Sequence, residues 1–329
     1  MEYKSKFRNY LQEFVSIKRA AGLKYETQER ILLRFDSFLC NKYPESTAIG
    51  PDIIMDWCAK KPHEHVKTLE GRVVPVRSFC RYLQMLGEDA YVMPEGMLPK
   101  SSRYQPYIYS DDEIRRINQS ADMLESVRGS KYIHLVMPAL LRVLQGCGTR
   151  IGETCSLETR DVALDDGLIT IKSGKMDKSR VVPMSGSLRE YLVAYRSKLA
   201  GTDDGKWFFP SKHGNHVCSS SVNKHFHSIL NMAEISSCGR NRLQHGANSP
   251  RIHDFRHTFA VNCLKAWVKE GMDIYSYLPV LQVYMGHSSI DATAYYLHLT
   301  ADLFPDITQK LEAAFGNVIP KGGGTDENY

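Results

Sequence analysis

The chain has 329 residues, enough for two domains with separate cores, and its 43% hydrophobic content argues for globular folding over disorder. A formal net charge of +5 is compatible with a polyanionic partner but does not select one. The eight cysteines form no CxxC pair and no clustered His/Cys spacing, which argues against a structural zinc site and a disulfide framework and leaves reduced thiols as the expectation.

The amino-terminal MEYKSKFRNYLQEF lacks a signal-peptide core, and no later stretch approaches about eighteen uninterrupted apolar residues. A soluble, cytoplasmic chain with no membrane association is therefore expected. Residues 1–100 read as helical throughout. Leu11, Phe14, Val15 and Ile17 before Gly22 predict one amphipathic helix and its stop, and Ile31, Leu32, Phe35, Phe38 and Leu39 predict a second. A helix opened by Pro51 carries Ile53, Ile54 and Trp57, and a longer one runs through Val76, Phe79, Leu83 and Leu86. The basic residues of this helical bundle are spread among acids, as on an ordinary solvated surface.

The pattern breaks at MLPKSSRYQP, which predicts a linker over 101–109. Ser110-Asp-Asp-Glu113 has capping-box spacing and opens a second domain over 110–318, followed by a disordered tail over 319–329 that holds a glycine run. An apolar helix from about Met137 to Gln145, with Pro138 in its first turn, ends at Gly146-Cys-Gly148, placing Arg150 just inside the next helix start. Backbone N–H groups and the helix dipole favour an anion there. Residues 167–184 read as a β-hairpin with Lys175 near its tip, and a strand fragment is expected at Trp207 to Phe209. The polar stretch 236–250 reads as a loop.

From His253 the wheel of a helix places Phe255, Phe259 and Cys263 on a core face, and His253, Arg256 and His257 on another. Leu281 and Met285 lead to a helix end at Gly286, so His287 follows a C-cap, and Ser288-Ser-Ile-Asp291 caps a helix carrying Tyr295 and Tyr296. Arginines, a lysine, histidines and a tyrosine together are an inventory for attacking phosphodiesters without a metal. His257 reads as a helix-face histidine in preference to a direct participant, and helical period alone does not separate Tyr296 from Tyr295.

Taken in order, GTRIGE, the GKxxKxRxVP hairpin, HDFRHTFA and MGHSSIxxTxxYxH resemble the catalytic domain of the tyrosine recombinases, the phage integrase and Xer-type family. The resemblance covers about 108–316; the helical region before it is similar only in architecture to the family's SAM-like core-binding domain. The fold class so implied is mainly α with a small β-sheet: a helical core-binding domain followed by an α+β catalytic domain. Tyr296, nine residues after His287 and followed by His298, occupies the family's nucleophile position.

The resemblance implies catalytic roles for Arg150, Lys175, His253, Arg256, His287 and Tyr296, with Lys175 as general acid and no cofactor or metal. It also implies double-stranded DNA sites as partners, a homotetramer on paired sites, companion recombinases as a further partner class, and a place at the bacterial nucleoid. A short amphipathic helix over 306–316 is expected to dock on a neighbouring protomer. Met285 stands where the family usually has leucine, an exchange that nearly conserves volume. The other readings open at this point are a DNA-binding protein without catalysis and a relaxing enzyme of the type IB topoisomerase kind.

Overall fold

The computed structural model describes residues 2–99, 105–126, 129–172, 179–201, 205–235, 250–287 and 289–303. It divides into two compact units, Met1–Arg103 and Tyr104–Tyr329. The loop expected over 236–250 (all but its last residue), Lys175, the helix expected over 306–316 and the terminal tail lie outside the described residues. No helix among the described residues is long and apolar enough to cross a membrane.

The first unit contains α1 (Arg8–Ala20), α2 (Glu26–Lys42), α3 (Pro51–Cys58) and α4 (Val66–Met85). The apolar periodicity explains their packing: α4 touches each of the other three and carries Val76, Phe79 and Leu83 into the core. Phe14 meets Phe79 edge-on at 5.6 Å, and Phe35 meets Trp57 at 5.1 Å. Gly22 ends α1 with φ +80°, a conformation that glycine reaches without Cβ strain. Asp36 is buried because its two carboxylate oxygens accept the Lys4 and Ser5 backbone N–H groups at 2.7 and 3.0 Å, fixing the chain before α1.

The second unit opens with α5 (Asp111–Asp122), whose Ser110–Glu113 capping box forms as the spacing predicts. Then come α6 (Ile133–Cys147) and the one-turn α7 (Ile151–Cys155), followed by strands β1 (Val162–Ala163), β2 (Leu168–Ile171) and β3 (Arg180–Pro183). The remaining helices are α8 (Gly186–Leu199), α9 (Ser219–Met232), α10 (Asp254–Lys269), α11 (Ile274–Met285) and α12 (Asp291–Leu303). The strands form one antiparallel sheet in the order β1-β2-β3, with Ile169 opposite Val182. This arrangement, mainly helical with a small sheet, is the fold class the sequence predicts.

Three local expectations change, and one strand was not anticipated. Helix α6 begins at Ile133, so Pro138 lies in its interior; ten of its residues are buried, and packing on all sides carries the helix across the missing proline N–H. Arg150 is the N-cap of α7 in extended conformation, one step outside the helix. The two-residue β1 escapes a search for alternation because it is too short to show any. Trp207 makes only an isolated bridge to Glu158, while Phe208 and Phe209 are buried by packing rather than by a strand ladder.

Two apolar clusters fill this unit. The larger surrounds α6; the smaller joins α10, α11 and α12 through Val261, Leu264, Leu281 and Met285. Helix α10 touches α6, α11 and α12, so residues on its first turns stand where three other helices meet.

Candidate active site

The site begins at a forced backbone turn. Gly148 caps α6 in the left-handed region at φ +58°, where a Cβ would lie 2.4 Å from Phe259 Cδ1. Glycine is required there both for the backbone angle and for the contact. Its carbonyl accepts from Arg256 Nη1 at 2.8 Å, and two residues on the chain enters α7 at Arg150. Glu153, at the third position of α7, turns back to accept the Arg150 backbone N–H at 2.9 Å and Arg150 Nη1 at 2.7 Å.

A second convergence forms at the carboxyl end of α11, where helix carbonyls lack intrahelical partners and the dipole favours cations. Arg180 Nε donates to Tyr284 O at 2.8 Å, Arg256 Nη2 donates to Met285 O, and Arg150 Nη2 donates to Gly286 O at 2.8 Å. Successive carbonyls thus receive arginines from β3, α10 and the start of α7. Gly286 itself is at φ +64°, the left-handed terminator that the sequence anticipates.

Arg256 is only 2% exposed. Burial, with Arg150 nearby, pulls its guanidinium down to about 10, which leaves it charged at neutral pH. Burial raises Glu153, but hydrogen bonds from Arg180 and from the Arg150 N–H outweigh it and hold the carboxyl at about 2.

The histidines and the tyrosine lie beside these arginines. His253 caps α10, its ring 5.2 Å from that of His257; the His257 ring is 5.6 Å from that of Tyr296. On the other side His287 stacks on Tyr296 at 6.0 Å and 20°, its Nδ1 2.8 Å from Thr293 Oγ1. Burial, reinforced by Arg256 and other neighbouring arginines, lowers His253 and His287 each to about 4; burial and the charge of His253 lower His257 to about 3. All three are neutral near pH 7, able to accept a proton or donate one N–H.

Tyr296 is 2% exposed; burial raises its phenol and Arg256 opposes that rise. Tyr295 is half-buried, its ring 6.0 Å away. The tertiary packing therefore separates two tyrosines that the helical period leaves equivalent.

The fold brings together Arg150, His253, Arg256, His287 and Tyr296, five of the residues singled out from sequence. Lys175 lies outside the described residues, as does Ser288 of the expected cap before α12. Arg180 and Glu153 belong to the same cluster and carried no individual signal beyond their places in GKxxKxRxVP and GTRIGE. Among the described residues no group of three His, Cys, Asp or Glu side chains is arranged to hold a metal ion.

The chain is similar to known proteins over most of its length. Residues 109–302 match the sequence profile of the Phage integrase family. A protein of Sinorhizobium fredii named as an integrase/recombinase is 30% identical over 315 residues, covering 94% of this chain and 98% of that protein. The tyrosine recombinase XerD of Pseudomonas aeruginosa is 26% identical, covering 87% and 91%. Among solved structures, the XerH site-specific recombinase in its post-cleavage complex with palindromic difH DNA superposes with a TM-score of 0.64 at 18% identity, covering 93% of this chain and 83% of that one. The chain belongs to the phage integrase family. Its enzyme class is that of the tyrosine site-specific recombinases, which act in DNA recombination.

Proposed function

We propose that this chain cuts and rejoins double-stranded DNA at specific sites through a 3′-phosphotyrosyl bond at Tyr296, in the integration or excision of a mobile element. The observation that carries the reading is the buried Tyr296 ring held between His257 and His287, beside the charged Arg256. In this reading Tyr296 Oη attacks the scissile phosphorus and its proton passes to His253. The bond from phosphorus to the 5′-oxygen breaks, and Lys175 protonates that oxygen. The phosphodiester energy is retained in the tyrosyl ester, so a 5′-hydroxyl from another duplex reverses the step without ATP and leads through a Holliday junction.

Arg150 and Arg256 neutralise the non-bridging oxygens, and His287 supplies a further N–H. In this reading the Thr293 hydroxyl, 2.8 Å from His287 Nδ1, donates to it, so that the proton sits on Nε2 and is given to a phosphate oxygen. The charge of an incoming phosphate offsets the arginines and raises His253 and His287 from about 4.

The first unit is assigned as the core-binding domain, residues 1–100, with 101–109 as linker and 110–318 as catalytic domain. The assembly is a homotetramer on paired sites, with companion recombinases as further partners. The Sinorhizobium relative, named as an integrase/recombinase and matched over nearly its whole length, supports the mobile-element role.

The test uses nicked suicide duplexes tiled across the DNA flanking the gene. Wild-type protein is expected to accumulate a covalent adduct at one sequence, and Tyr296→Phe to lose the adduct while retaining DNA affinity. An adduct that persists in Tyr296→Phe overturns the nucleophile assignment. Binding without any adduct in the wild type favours a non-catalytic DNA-binding protein, and relaxation of unpaired sites by a monomer favours a topoisomerase-like enzyme.

A further inference from the structure

Arg180 stands on β3, yet its guanidinium is anchored on two sides of Arg150. Nε donates to Tyr284 O at 2.8 Å, while Nη1 and Nη2 donate to the two Glu153 oxygens at 3.2 and 2.7 Å. The same carboxylate receives Arg150 twice, and Arg150 Nη2 returns to Gly286 O. The contacts close a ring: β3 to Glu153, Glu153 to Arg150, Arg150 to Gly286, and back along the chain to Tyr284 and Arg180. There is little slack in it, because a Cβ at Gly286 would lie 2.9 Å from Arg180 Nη1.

Exposure separates the two arginines. The Arg180 side chain is 10% exposed and the Arg150 side chain 40%. Arg180 spends three N–H groups on protein acceptors and faces inward. Among the described residues Arg150 gives two of its five side-chain N–H groups to protein acceptors.

We propose that Arg180 is a positioning residue for Arg150: by clamping the Glu153 carboxylate to the end of α11, it fixes the direction in which the remaining N–H groups of Arg150 point. Glu153 sits on a one-turn helix, and its two hydrogen bonds from Arg150, one from the backbone N–H and one from Nη1, tie the carboxylate only to the residue it orients and do not fix it against the rest of the fold. The paired bonds from Arg180 do, since a guanidinium fork matches both oxygens at once. Lysine keeps the charge but cannot span Tyr284 O and both carboxylate oxygens. The inference rests on the reading above that Arg150 neutralises the scissile phosphate.

The experiment uses the full chain and the duplex on which the wild type forms its adduct, made with either a natural phosphate or a neutral methylphosphonate at the scissile position. A methylphosphonate has lost the negative charge that Arg150 is held to neutralise. Arg180→Lys and Arg180→Met are expected to bind the natural duplex within about 3-fold of wild type, since binding is dominated by many phosphate contacts. Single-turnover adduct formation at saturating DNA is expected to fall about 10-fold or more in Arg180→Lys and about 100-fold in Arg180→Met, as when a preorganised donor is misplaced. On methylphosphonate the deficit of Arg180→Met relative to wild type should shrink to within about 5-fold, because no charge needs aligned neutralisation.

A wild-type rate in both variants on the natural duplex overturns the proposal. So does a deficit that is equally large on methylphosphonate, which is the mark of a general folding defect. Arg150→Ala on methylphosphonate is the control: if that variant is not rescued, the phosphate role of Arg150 fails, rather than the link from Arg180 to it.

Discussion

Replacing Gly148 with alanine tests the turn on which the site is built. Two costs can be worked from the structure. At φ +58° an L-residue with a Cβ pays about 1–2 kcal/mol for the left-handed conformation. The new methyl group would also start 2.4 Å from Phe259 Cδ1 and 2.8 Å from Cγ, a clash with an α10 ring that stacks on Tyr284 of α11, so a further ~1–3 kcal/mol of overpacking strain follows. The sum, about 2–5 kcal/mol, corresponds to a fall in Tm of about 4–20 °C for a unit of this size. Relief requires either Phe259 or the Gly148 peptide to move, and moving the peptide withdraws the carbonyl that accepts Arg256 Nη1. Calorimetry and single-turnover adduct formation, measured well below the new Tm, read the two effects separately. The adduct rate is expected to fall in the stable variant as well. A Gly148→Ala protein with wild-type Tm would refute the steric reasoning, and one that is destabilised but fully active would refute the link from this turn to Arg256.

Arg150→Ala is expected to slow adduct formation by about 100-fold or more at saturating DNA, as for loss of a preorganised donor to a developing charge; a rate near wild type contradicts its role. Acid should weaken the second unit in a defined window. His253 and His287 lie near 4 and His257 near 3 when folded, below the usual histidine value, so between roughly pH 6.5 and 4 the unfolded chain binds more protons and stability falls as pH falls. Glu153, held at about 2, contributes stability present above its unfolded value and lost below it, extending the same trend downward. Urea midpoints against pH should decline through this window for wild type and less steeply for His253→Gln; parallel slopes contradict the assignment. Asp36→Ala should destabilise the first unit by about 1–3 kcal/mol by leaving the Lys4 and Ser5 N–H groups without their acceptor, with no change in the second unit's unfolding.

Much of the local structure was legible in order along the chain. Apolar spacing located α1 to α4, the Ser110–Glu113 pair located the start of α5, and Gly148 and Gly286 marked two helix ends, because caps and periodicity depend on neighbours within a turn or two. The start of α6 was not legible: a proline ordinarily breaks a helix interior, and only burial on all sides shows why this one does not.

At the site, the sequence alone determined which residue types are present and in what order, enough to place the chain in its family. The tertiary structure alone decided that Tyr296 and not Tyr295 is buried between two histidines. It also decided that Arg180 and Glu153 join the cluster, and that three arginines from distant segments meet the successive carbonyls of residues 284–286. The reason is physical. A helical period sets the face on which a side chain lies, whereas burial, the pKa of a histidine and the partners of a guanidinium depend on segments from 27 to 136 residues away that only packing brings within hydrogen-bond distance.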